Sequence, residues 1–123
     1  MGTTADDDGR TGMDIQQLAH DQLALAHQDA HGRSAQIVVH DGPLRQTVIA
    51  LTTGTRLAEH NSPPAGSIQV LRGTVGVSTG ERVDTLPAGF LVTLTHDRHG
   101  VEALSDAVLL LTTVTNVDEP SHG

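Results

Sequence analysis

Two histidines in this 123-residue chain, His60 and His99, stand where donors from distant parts of a sequence could be brought to one metal ion. Neutral imidazole is the commonest protein ligand for divalent metals, and a catalytic zinc takes three protein donors plus water. His96, in the run Thr95-His96-Asp97-Arg98-His99, is the third candidate. A trio of His60, His96 and His99 suits a divalent Zn, Ni, Fe or Cu in a partly open geometry. Strict strand alternation puts Arg56, Ala58 and Ser62 in the same row as His60, with Glu59 in the other. It likewise groups Gly66, Ile68 and Val70, and sets His99 with Val101 and Ala103 against Glu102. The site so expected holds imidazoles, Arg56 and Ser62 as ligand-binding residues, and aliphatic walls. Arg56 would neutralise the carboxylate of a small acidic ligand. No inward carboxylate and no nucleophile elbow is present, so no catalytic residue is assigned. The competing reading is a metal-free pair, hydrogen-bonded to each other, to Ser62 or to water.

Turn and strand signals supply the frame for these residues. Gly54 precedes five residues that lead to His60, and Pro87-Ala88-Gly89 precedes the strand that leads to His99. Two runs rich in β-branched residues predict strands over 35–40 and 45–51, and further strands are expected at 55–60, 67–72, 74–79, 82–86, 91–95, 100–104 and 107–115, separated by turn signals. Asp41-Gly42-Pro43 reads as the turn of a hairpin, and Gly73 as a tight corner. Many short strands at near-regular spacing indicate a sandwich or barrel. Ahead of them, Asp14 caps an expected helix in which Ile15, Leu18, Ala19, Leu23 and Ala26 form one apolar stripe, with Gly32 as its terminator. His20, His27 and His31 belong to the solvated side of this helix. The division is a disordered leader over 1–12, a helix over 13–32, a β-barrel over 33–117 and a disordered tail over 118–123.

Bulk composition narrows the function classes. All seven basic residues are Arg, the formal charge is −8, and Phe90 is the single aromatic. An acidic chain without a basic stripe or stacking platform is no binder of nucleic acid. Cysteine is absent, so disulfides, thiolate metal sites and thiol nucleophiles are excluded. No signal peptide is visible at the amino terminus, and Val108-Leu109-Leu110-Leu111 falls far short of a membrane span. The expectation is a cytoplasmic protein with no membrane partner.

The ordered motifs resemble the cupin superfamily, specifically its small single-domain members. Gly54, the five residues after it, His60 and Gly73 match the family's first motif, whose second His falls on Ser62 and whose Glu falls on Gly66. Pro87, Gly89 and His99 match the second motif, whose closing Asn falls on Ala103. The likeness covers residues 48–115, and the stretch from His99 to Thr112 is similar to the ending of a large group of bacterial cupins. It implies an all-β, cupin-type jelly-roll barrel with an N-terminal α-helix. It also implies a divalent metal or small-molecule ligand inside the barrel, and a homodimer. Dioxygenase, isomerase or decarboxylase chemistry is one implied alternative, and a metal-free ligand-sensing module is the other. The residues leave both open.

Overall fold

The structure, a computed structural model, describes residues 11–60, 65–94 and 99–115. The expected leader up to residue 10 and the tail from residue 116 lie outside the described residues, as do Ser62 and His96. Among the described residues one helix, α1 (Ile15–Gln28), precedes nine strands. These are β1 (Arg33–Asp41), β2 (Leu44–Leu51), β3 (Arg56–His60), β4 (Ala65–Arg72), β5 (Thr74–Thr79), β6 (Arg82–Pro87), β7 (Leu91–Thr93), β8 (His99–Ala103) and β9 (Ala107–Val114). They form two antiparallel sheets, ordered β1-β2-β9-β4-β7 and β3-β8-β5-β6. This is the jelly-roll arrangement anticipated above.

Helix α1 starts where the sequence says it should. The Asp14 carboxylate accepts the backbone N–H groups of Gln16 and Gln17 at 3.0 and 3.1 Å, satisfying two donors that the first turn leaves without partners. Its C-terminal end comes earlier than Gly32. Asp29 accepts the N–H of His31 at 2.8 Å and of Arg33 at 3.3 Å, a local turn that competes with further helix. Gly32 sits three residues on, at a φ of 73° in the turn into β1, and is not the residue that ends the helix.

The middle of the five-stranded sheet is buried on both faces, which explains the unbroken apolar run in β9. Val108 faces α1 together with Val48, Ala50, Ala19 and Ala26. Leu109 faces the other sheet together with Leu51, Val70, Val75, Val77 and Val101. Gln22 completes the helix stripe, a polar residue that apolar periodicity does not find. It is buried, its amide nitrogen donates to Gln36 at 2.9 Å, and the Ser34 hydroxyl donates to its oxygen. The polar side chain is tolerated because its amide has partners.

The four-stranded sheet is one strand narrower than its partner, so β1 overhangs. Ala35 and Ile37, in the row of β1 that turns away from α1, are exposed, Ile37 by 53%. Among the described residues no helix packs on the outer face of the narrower sheet; α1 lies against β1, β2, β4 and β9.

The end of the barrel where β3 begins is tied by one carboxylate that the sequence marks only as part of a turn. Asp106 accepts from the Thr53 N–H and the Thr53 hydroxyl, both at 2.9 Å, and lies 2.8 Å from Nε2 of His27. It thus joins α1, the β2–β3 loop and the β8–β9 loop, and corrects the reading of His27 as merely solvated. The Thr53 N–H, the Thr53 hydroxyl and His27 hold the Asp106 carboxyl below its ordinary value of 3.8. A carboxylate with a lowered folded-state pKa contributes stability that is present above the unfolded value and lost as pH falls through the folded one. Thermal stability should therefore decline as pH drops below about 4, and Asp106→Asn should remove part of that acid limb while lowering stability at neutral pH. A pH series of melting curves for both proteins checks this.

Candidate functional site

The register between β3 and β8 decides what the two sequence motifs bring together. The Gly54 turn is fastened to β8: the Gly54 N–H donates to the Ala103 carbonyl at 2.7 Å, and the Ala103 N–H donates to the Thr55 carbonyl at 2.9 Å. Gly54 has a φ of 87°, a backbone state that L side chains resist. From this anchor, Arg56 pairs with Glu102 and Leu57 with Val101. The next pair is His60 with His99. Three steps along β3, from 57 to 60, are matched by two along β8, from 101 to 99, so one residue of β3 is extra. This is a β-bulge. In a regular ladder Glu59 would stand opposite His99, and the bulge puts His60 there instead.

The two histidines are therefore direct cross-strand partners in backbone register, across almost forty positions of sequence. On its other side the position of His99 is flanked by Thr79 of β5. Position 99 belongs to the β8 row that includes Val101 and Ala103, both in the inter-sheet core. The neighbouring walls are aliphatic: Ile68 on β4, Val77 on β5, and Val92, Leu94 and Leu111 packed against the same cluster. Ile68 and Val70 face inward with Gln69 in the other row, as alternation predicts.

Arg56 is elsewhere. Strict alternation sets it in the row of His60, but the bulge breaks that alternation between the two residues. Arg56 lies with Glu102 on the outer row of the narrower sheet, Nη2 to Oε1 at 3.4 Å, with its side chain 74% exposed. Glu102 is outward, as expected. Among the described residues no group of three or more His, Asp or Glu side chains is placed to hold a metal ion. His96 and Ser62 lie outside the described residues.

The sequence matches no protein-family model and no curated protein. Solved structures do match. A cupin superfamily protein from Desulfitobacterium hafniense superimposes with a TM-score of 0.65 at 10% identity, over 68% of this chain and 78% of that one. KdgF from Halomonas sp. gives 0.64 at 23% identity, over 76% of this chain and 88% of that one. Salicylate 1,2-dioxygenase from Pseudoaminobacter salicylatoxidans gives 0.69 at 21% identity, covering 93% of this chain but 37% of the enzyme. At these identities the likeness establishes architecture. The chain is a small domain of the cupin fold.

Proposed function

We propose that this chain binds a divalent metal ion, and with it a small ligand, at the end of the barrel where β3 and β8 carry His60 and His99. The observation that supports this is the bulged register that makes the two residues cross-strand partners. His60 and His99 would hold the ion, with His96 and Ser62 as further contacts from the adjacent loops. A bound ion supplies Lewis acidity to a coordinated oxygen. The chain's own contribution is positional: aliphatic side chains from both sheets wall the barrel, exclude water and leave polar contacts to the mouth. An alternative without metal keeps the same mouth as a ligand-sensing pocket.

The test is calorimetric titration of metal-stripped, tag-free protein with Zn²⁺, for the wild type and for His60→Ala with His99→Ala. The wild type should bind stoichiometrically. The double variant should lose on the order of 100-fold or more in affinity, at least what a supporting partner of a metal ligand supplies. Equal affinity in both proteins would dismiss the assignment.

We also propose that the chain pairs with a second copy through the overhanging face of β1, a reading supported by the unequal width of the sheets and the exposed Ala35 and Ile37. Placing a charge at a buried interface position costs about 2 kcal/mol or more. Ile37→Glu should therefore convert a dimer into a monomer in light scattering at micromolar concentration. A wild-type monomer would reject the pairing.

A further inference from the structure

A cavity of about 610 Å³ is lined mainly by the outer face of the β3-β8-β5-β6 sheet, with Arg33 of β1 and the core-cluster residues Leu57 and Val101 also bordering it. Its lining includes Arg33, Arg56, Gly76, Ser78, Val83 and Leu104. The register explains the grouping. Gly76 of β5 stands opposite Glu102, which stands opposite Arg56, and Ser78 stands between Gly100 and Val83. These positions form the outward rows of the sheet, whose inward rows hold Val75, Val77, Val101 and Ala103.

Three features of this face lack an internal explanation. First, Val83 and Leu104 are 65% and 46% exposed, although the rest of the outward row is polar or glycine. Second, Gly76 sits inside a strand, where glycine weakens the ladder. Its φ is not positive, and an added Cβ would meet Val83 and Leu104 at 3.6–3.9 Å, ordinary contact distances. Neither backbone conformation nor internal packing requires a glycine there. Gly76 is itself buried, and a glycine inside a strand is one mark of a site where a ligand or another backbone approaches closely. Third, two of the chain's seven Arg residues border the cavity of a protein with a net charge of −8. Among the described residues Arg56 meets one carboxylate, Glu102, through a single contact of 3.4 Å, and its guanidinium carries further donors in a planar fork.

From this geometry we infer a second binding site on the outer face of the narrower sheet, for a small carboxylate with an apolar body. The carboxylate lies against Arg56 and Arg33, and the body lies over Gly76 between Val83 and Leu104. The volume is in the range of small-molecule pockets, and the mix of apolar walls with a few polar groups is theirs as well. Charge complementarity selects the ligand class, because the guanidinium fork matches a carboxylate. The proposal does not rest on the metal reading, since none of the residues it uses is a proposed metal ligand.

Octanoate and benzoate are suitable probes, followed by two-dimensional NMR of the ¹⁵N-labelled full chain. Saturable shifts should appear at Gly76, Ser78, Val83 and Leu104. Arg56→Gln should weaken the probe about tenfold, the usual order for losing a charge-assisted pair. Glu102→Gln, which removes a competing carboxylate and a like charge, should tighten it severalfold. A merely structural Arg56 would leave that sign unexplained. Gly76→Ala keeps ordinary contacts, so it should fold and still lose binding by obstructing the floor. Shifts confined to the His60–His99 end, an unchanged affinity in Arg56→Gln, or no saturation at millimolar probe would each overturn the site. Octanol shifting these signals as strongly as octanoate would overturn the carboxylate assignment.

Discussion

Replacing Leu109 by Ala is expected to destabilise the domain by about 2–5 kcal/mol, the range for emptying a fully buried Leu position. Leu109 is fully buried in β9, the middle strand of the wider sheet. Its cross-strand neighbours are Ile49 on β2 and Val70 on β4, both in the same inward-facing cluster. The opposite wall is Val75, Val77 and Val101. Every one of these is aliphatic, and the single aromatic of the chain, Phe90, is 53% exposed and takes no part. Stiff β-branched walls on rigid strands cannot collapse into the space, so the cost should fall in the upper half of the range. Small domains have about 5–15 kcal/mol in total, so this change consumes much of it. Denaturant melts should move to a lower midpoint with little change of slope. An unaltered midpoint would mean that the two sheets do not meet where described.

Gly73→Ala should be as damaging for a different reason. Gly73 turns the chain between β4 and β5 at a φ of 73°, and a Cβ there would overlap the carbonyl group of Asp106. The left-handed conformation alone costs about 1–2 kcal/mol for a residue with a Cβ. The overlap adds to it, because the corner is held firmly: the Leu104 N–H donates to the Thr74 carbonyl at 2.9 Å, and the Thr74 N–H donates to the Ser105 hydroxyl at 3.0 Å. A total loss of about 3 kcal/mol or more is expected, in the class of mutations with a named severe cause. Gly80→Ala is the control. Gly80 has a φ of 61° but open space around it, so only the conformational cost applies. Equal losses at the two positions would refute the close approach at Gly73.

Much of the framework was readable in the amino-acid string because it obeys local rules. Asp14 caps, Gly42-Pro43 turns, and nine short runs sit between turn residues at almost the positions the strands occupy. The rows of β4 and β8 followed from alternation alone. What escaped is non-local. The bulge between Leu57 and His60 depends on how β3 lies against β8, and nothing in Arg56-Leu57-Ala58-Glu59-His60 announces an extra residue. That single slip moves Arg56 from the row of His60 to the outside. Gln22 and Asp106 escaped for the same kind of reason. Each is polar, and each is explained only by partners between 12 and 79 positions away.

The outer-sheet site uses Arg56 and the barrel site uses His60, so substitution separates the two readings. A ligand that needs Arg56 but not His60 belongs outside, whereas a ligand lost with His60 alone belongs within.

Paramagnetic resonance of protein carrying a single Cu²⁺ tests the heart of the account. If the β3 slip brings residues 60 and 99 to one ion, the spectrum should carry coupling to two or more imidazole nitrogens, with one lost in His60→Ala and one in His99→Ala. The same nitrogen pattern in the doubly substituted protein would place the copper on other histidines and contradict the pairing.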